Sequence, residues 1–112
     1  MASVEECEAA MWALAERIDG MDPDTRQRTV LDRSVTCHLK DLNVTFRGQF
    51  RDGGLHDIAR ADSANGQIRL TMSSDDLLAL VAGSLNFGRA WATGRLKVDA
   101  SVFDLIKLRA LL

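Results

Sequence analysis

The sequence predicts one α+β domain: a five-stranded, mostly antiparallel sheet with its helices packed on one face. Three observations lead there. An apolar stripe recurs at helical spacing near the N-terminus, a period-two alternation fills the middle, and capped apolar helices alternate with short strands from Ile68 onward.

Ser3-Val4-Glu5-Glu6 is a capping box, in which the Ser hydroxyl accepts an amide hydrogen bond while Glu6 reaches back. Val4, Cys7, Met11, Leu14 and Ile18 follow at helical spacing, so a helix is expected over 4–19, with Gly20 as its left-handed stop. Asp22-Pro23-Asp24, which holds the only proline, reads as a turn. From Arg28 onward the period is two. Val35, Cys37 and Leu39 alternate with Thr36, His38 and Lys40, and Val44, Phe46, Gly48 and Phe50 alternate with Thr45, Arg47, Gln49 and Arg51. Lys40–Asn43 is a turn, and Asp52-Gly53-Gly54 is a hairpin signal because Gly accepts positive φ. A weaker third strand runs from Leu55 to Ala61, Asn65-Gly66 turns, and a fourth strand spans Gln67–Met72. The expected connectivity is a four-stranded antiparallel meander with one apolar and one wet face.

Ser73 then caps a helix over 74–82, with Asp75 and Asp76 placed to suit its dipole and Gly83 at its end. Phe87, Ala90 and Trp91 mark a short helix stopped by Gly94, and Arg95–Ala100 alternates as a fifth strand. Ser101 caps a last helix over 102–111. Its apolar positions Val102, Phe103, Leu105, Ile106, Leu108, Leu111 and Leu112 cover more than half its circumference, so it must be buried somewhere.

At 112 residues the chain holds one domain, 1–112, and any cavity must be carved from its single core. A net charge of −2 excludes a nucleic-acid binder, which needs clustered cations to displace counterions. The charge is uneven. Glu5, Glu6, Glu8, Glu16, Asp19, Asp22 and Asp24 face only Arg17 in the first 24 residues, whereas Arg89, Arg95, Lys97, Lys107 and Arg109 outnumber Asp99 and Asp104 at the other end. This is either a solvated basic edge or a mild attraction for anionic lipid surfaces. The N-terminus lacks a basic, then apolar, leader, and no apolar run reaches the ~20 residues of a membrane span. A cytoplasmic location without a stable membrane anchor is therefore expected, with Cys7 and Cys37 reduced and buried.

Little chemistry is on offer. His38 lies on the polar side of its strand, and neither it nor His56 has metal-ligand or acid–base partners at motif spacing. Asp75 and Asp76 point to different sides of a helix. Ser73 and Ser101 are caps without a neighbouring base. No catalytic residue, metal or cofactor is expected.

Leu70-Thr-Met-Ser-Ser-Asp-Asp-Leu-Leu-Ala-Leu-Val-Ala-Gly83, then Ala90-Trp-Ala-Thr-Gly-Arg-Leu-Lys-Val98 and the apolar helix after it, resemble the sterol-binding domain of the sterol carrier protein-2 family. The match is strong over 66–112 and topological over 4–61. Ala100 stands where the family often has Gly, and Arg109-Ala-Leu-Leu112 is not a Ser-Lys-Leu-like peroxisomal address. The resemblance implies an apolar tunnel between sheet and helices that carries sterols, fatty acyl chains or phospholipids, in a fold also found appended to enzymes.

The residues expected to line such a tunnel are Phe46, Ile68, Leu70, Leu77, Leu80, Val81, Phe87, Trp91, Leu96, Phe103 and Ile106; read without the resemblance they are simply core. The helix over 102–111 is the expected lid, with Lys107 and Arg109 at its rim to meet an acidic headgroup. Three readings stay open. A non-enzymatic lipid-binding or carrier domain leads. A module whose apolar helices pack against a sister chain, as a homodimer, or against a partner enzyme comes second. A small hydrolase or thiol enzyme comes last.

Overall fold

The computed structural model describes residues 1–24 and 31–111, so the alternation expected at 28–30 and the apolar contribution of Leu112 lie outside the described residues. The chain forms α1 (Val4–Asp19), β1 (Arg33–Leu39), β2 (Val44–Arg51), β3 (Gly54–Ala61), β4 (Ile68–Met72), α2 (Ser74–Ala82), α3 (Phe87–Ala92), β5 (Lys97–Asp99) and α4 (Val102–Leu111). The helix expectations 4–19, 74–82 and 102–111 coincide with α1, α2 and α4.

The capping box is formed, with Ser3 Oγ accepting from the Glu6 amide and Glu6 Oε1 accepting from the Ser3 amide, each at 3.1 Å. Gly20 is a correction: it ends α1 at φ −83°, in ordinary right-handed space, so its role there does not depend on lacking a side chain. Gly83 and Gly94 do take positive φ, 84° and 80°. Pro23 and Asp24 are helical rather than a plain turn. Asp22 Oδ1 accepts the Asp24 amide at 3.2 Å, and proline suits a helix's first position.

The sheet order is β3-β2-β1-β4-β5, with every neighbouring pair antiparallel except β1 and β4. The expected four-strand meander is therefore wrong at its last step. β4 does not follow β3 at the edge; it returns to pair in parallel with β1, Val35 beside Ile68, Cys37 beside Leu70 and Leu39 beside Met72. Period-two alternation tells which face a residue occupies, not which strand lies beside it. Ile68, Leu70 and Met72 are all buried and belong in the sheet's centre. β3, with its charged residues and a bulge at Asp57 (φ 57°), makes a natural edge.

The return is made by residues 62–67, which cross the outer face of the sheet. Gly66 donates to Thr36 Oγ1 at 3.3 Å, Gln67 donates to Ser34 Oγ at 3.0 Å, and Gln67 Oε1 accepts the Ser34 amide at 2.9 Å. The strap accounts for two buried polar residues on an otherwise wet face, Thr36 and Thr45. It also requires a glycine: a Cβ on Gly66 would stand 2.7 Å from the Thr36 nitrogen and 2.9 Å from the Val35 carbonyl carbon. The sequence pair Asn65-Gly66 marks a close backbone approach, not a hairpin.

The opposite face carries the core. Val35, Cys37, Leu39, Phe46, Phe50, Ile68, Leu70 and Met72 meet Cys7, Met11, Leu14 and Ile18 of α1 and Leu77 and Leu80 of α2 in one cluster. A polar knot fastens the entrance to α2. Ser74, fully buried, gives its hydroxyl hydrogen to Asp41 Oδ2 (2.5 Å), donates its amide to Asp41 Oδ1 (2.8 Å) and accepts the Ala2 amide (3.1 Å). These Ser74 hydrogen bonds hold the Asp41 carboxyl below its ordinary 3.8, desolvation opposing them. A depressed folded-state value stabilises the fold above the unfolded value and is lost as pH falls towards the folded one. Denaturant titrations across the acid range should therefore show wild type losing stability below about pH 4, and Asp41→Asn with a shallower loss. Parallel acid limbs would contradict this.

α4 sits on the helical face with an unexpected side inward. Asp104, 7% exposed, accepts from Arg33 Nε at 3.1 Å, and Leu108 and Leu111 are buried beside it. Val102, Phe103 and Ile106 consequently point outward.

Candidate functional site

Where α1, α2 and the sheet meet, packing leaves a narrow void of about 20 Å³. Met11 and Leu14 wall it from α1, Leu77 and Leu80 from α2, and Val35, Cys37, Phe50, Leu55, Leu70 and Met72 from the sheet. Each lining side chain is apolar or a thiol. The volume is room for about one water, against roughly 300–1,000 Å³ for a ligand pocket. The expected tunnel is thus a closed seam here. Met11 and Met72 flank it with unbranched, adaptable side chains of the kind that yield to a guest.

Burial pushes the Cys37 thiol up to about 12, with the nearby Cys7 adding to the rise, and burial also raises Cys7. Neither thiol is a nucleophile in this state. Ser74 is equally unsuited, because the knot with Asp41 and Ala2 occupies its oxygen. His38 Nδ1 lies 3.0 Å from Thr45 Oγ1, and His56 Nε2 is buried without a hydrogen-bond partner among the described residues.

Leu80 also faces a second, partly open pocket of about 220 Å³. Its floor is Leu80, Leu85 and Phe87, and its rim is Arg17, Gly83, Asn86, Gly88 and Arg109. Arg17 is anchored by donating to the Val81 carbonyl at 3.2 Å. The Arg109 guanidinium lies over Gly88, where an added Cβ would be 3.4 Å from it. Asn86 caps α3 through the Arg89 amide at 3.1 Å. One leucine therefore separates a dry apolar seam from a pocket with two guanidinium groups.

Of the residues expected to line a tunnel, Leu70, Leu77 and Leu80 border the void, and Phe87 joins Leu80 in the rim pocket. Phe46 and Ile68 are fully buried core away from both, Leu96 is buried, and Val81 is half-buried beside Arg17. Trp91, Phe103 and Ile106 lie outside, 49%, 78% and 63% exposed. The reason is geometric. Phe87 and Ala90 take the inner side of α3, and Asp104, Leu108 and Leu111 take that of α4, leaving these three opposite. Sequence reasoning passed over Met11, Leu14, Val35, Cys37, Phe50, Leu55 and Met72. Their signal was present, as the inward half of the α1 stripe and of the strand alternation.

The SCP-2 sterol transfer family model matches residues 14–112. The chain belongs to the SCP-2 sterol transfer family. No curated protein sequence matches it. Solved structures share the SCP-2 fold at low identity. Sterol carrier protein 2 like 2 from Aedes aegypti has a TM-score of 0.71 at 16% identity, covering 98% of this chain and 100% of that one. The Aedes aegypti sterol carrier protein-2 in complex with palmitate gives 0.67 at 21%, covering 96% and 94%. The sec-alkylsulfatase Pisa1 from Pseudomonas sp. gives 0.63 at 22%, covering 88% of this chain but 15% of the sulfatase, so there the SCP-2 fold is one part of a longer protein. Among the described residues of this SCP-2 chain, no helix is long and apolar enough to cross a membrane.

Proposed function

We propose that the protein is a non-enzymatic lipid-binding or transfer domain. Its ligand's hydrocarbon part occupies the seam between α1, α2 and the sheet, and an acidic headgroup rests between Arg17 and Arg109. The observation that carries this reading is the apolar void that shares the Leu80 wall with a pocket holding two guanidiniums. Family membership and the palmitate complex of a relative with the same fold support it. α4 takes part through Arg109 at the rim, rather than through Phe103 or Ile106 as lining. The driving force is desolvation, about 0.8 kcal/mol per buried methylene. Parting the helices from the sheet opposes it, and the two methionines ease that opening.

Titration of the folded protein with a fluorescent fatty acid should give saturable binding of micromolar strength, about −8 kcal/mol. Ligand at a hundred times its dissociation constant should raise unfolding stability by about 2.7 kcal/mol. Arg109→Glu should weaken a fatty acid more than an uncharged sterol probe. A folded protein that shows no saturable binding to either would overturn the reading.

A further inference from the structure

Apart from Arg109, the outward side of α4 has no use in the lipid site. Val102, Phe103 and Ile106, 70%, 78% and 63% exposed, form a continuous apolar stripe, since they recur at helical spacing. Asp104, Leu108 and Leu111 hold the opposite side to the core, so the stripe cannot turn inward without breaking the Asp104–Arg33 pair. Lys107 and Arg109 flank it on its two sides. Among the described residues no carboxylate pairs with either, and the two acids nearest them in sequence have other partners, Asp104 pairing with Arg33 and Asp99 with Arg69. An outward apolar stripe between cations is the pattern of a helix that lies in a lipid interface. α1 is the converse, with Glu5, Glu8 and Glu16 exposed on its surface.

We propose that α4 is a docking surface for an anionic phospholipid bilayer, with Val102, Phe103 and Ile106 entering the acyl boundary while Lys107 and Arg109 meet the headgroups. The charge pattern selects this occupant over a second copy of the chain: two α4 stripes face to face would bring their unpaired cations together. The surface shares only Arg109 with the internal site, and the variants that test it lie elsewhere on α4, so the test needs no internal ligand.

Flotation of the intact protein should show binding to phosphatidylcholine vesicles containing phosphatidylglycerol, weakened by salt, and little binding to phosphatidylcholine alone. Phe103→Ser with Ile106→Ser should cut partitioning more than tenfold. Lys107→Glu should cut it about fivefold or more, since each cation near an anionic surface counts for roughly that factor. Circular dichroism and fluorescent fatty-acid titration of the double variant should match wild type, separating this outcome from failure of the internal site. Equal binding to neutral and anionic vesicles, unchanged partitioning of the double variant, or a dimer in light scattering that the double variant dissolves would each overturn the proposal.

Discussion

Leu80→Trp is expected to abolish saturable lipid binding while the domain stays folded. Leu80 borders both the dry seam and the pocket rimmed by Arg17 and Arg109, so an indole there crowds the wall that the two share. The seam measures about 20 Å³, too little to take the extra ring without displacing Met11, Met72 or Leu77. The overpacking should cost about 1–3 kcal/mol, within the stability of a domain of this size. Denaturant unfolding would show a cooperative transition at lower concentration, and the fluorescent fatty acid would no longer saturate. Wild-type affinity in a folded Leu80→Trp protein would mean that the ligand enters elsewhere.

Phe46→Ala is expected to be among the most damaging single changes to the fold, about 3–5 kcal/mol. Phe46 is fully buried in β2, beside Cys37 on the central strand, and its loss leaves a cavity that the sheet cannot close. Phe103→Ala, in contrast, removes an aromatic ring of the same size from the surface and should change stability by less than about 0.5 kcal/mol. Comparison of the two midpoints is the check. Similar losses from both would show that Phe103 is core, and that α4 docks with its other side inward in solution.

These two phenylalanines also mark how far the sequence could be read. Local signals were strong where one backbone and its own caps decide the outcome. Ser3 with Glu6, Ser73 before Asp76, and the alternation through Phe46 placed α1, α2 and the strands without reference to anything distant. What failed depends on partners far along the chain. The side that α4 buries depends on distant partners: Asp104 meets Arg33, some seventy positions upstream, and Leu108 and Leu111 join the core on that same side. The place of β4 is set by a strap over the outer face, and nothing in Ile68–Met72 itself distinguishes β1 from β3 as neighbour. The walls of the void were hidden for the same reason. Met11 and Leu14 look like any helical stripe until α2 is seen to leave a gap above them.

The parallel seam between β1 and β4 has a kinetic consequence. β1, β2 and β3 join through short hairpins, whereas Ser34 and Gln67, 33 positions apart, must meet before β4 can dock. Contacts of such separation form late, after the loop entropy has been spent. The walls of the void come from both sides of that junction: Val35, Cys37, Phe50 and Leu55 from the early meander, and Leu70, Met72, Leu77 and Leu80 from the returning segment. No partly assembled chain presents the complete pocket. A bound lipid should therefore leave the refolding rate almost unchanged and act by slowing escape from the native state.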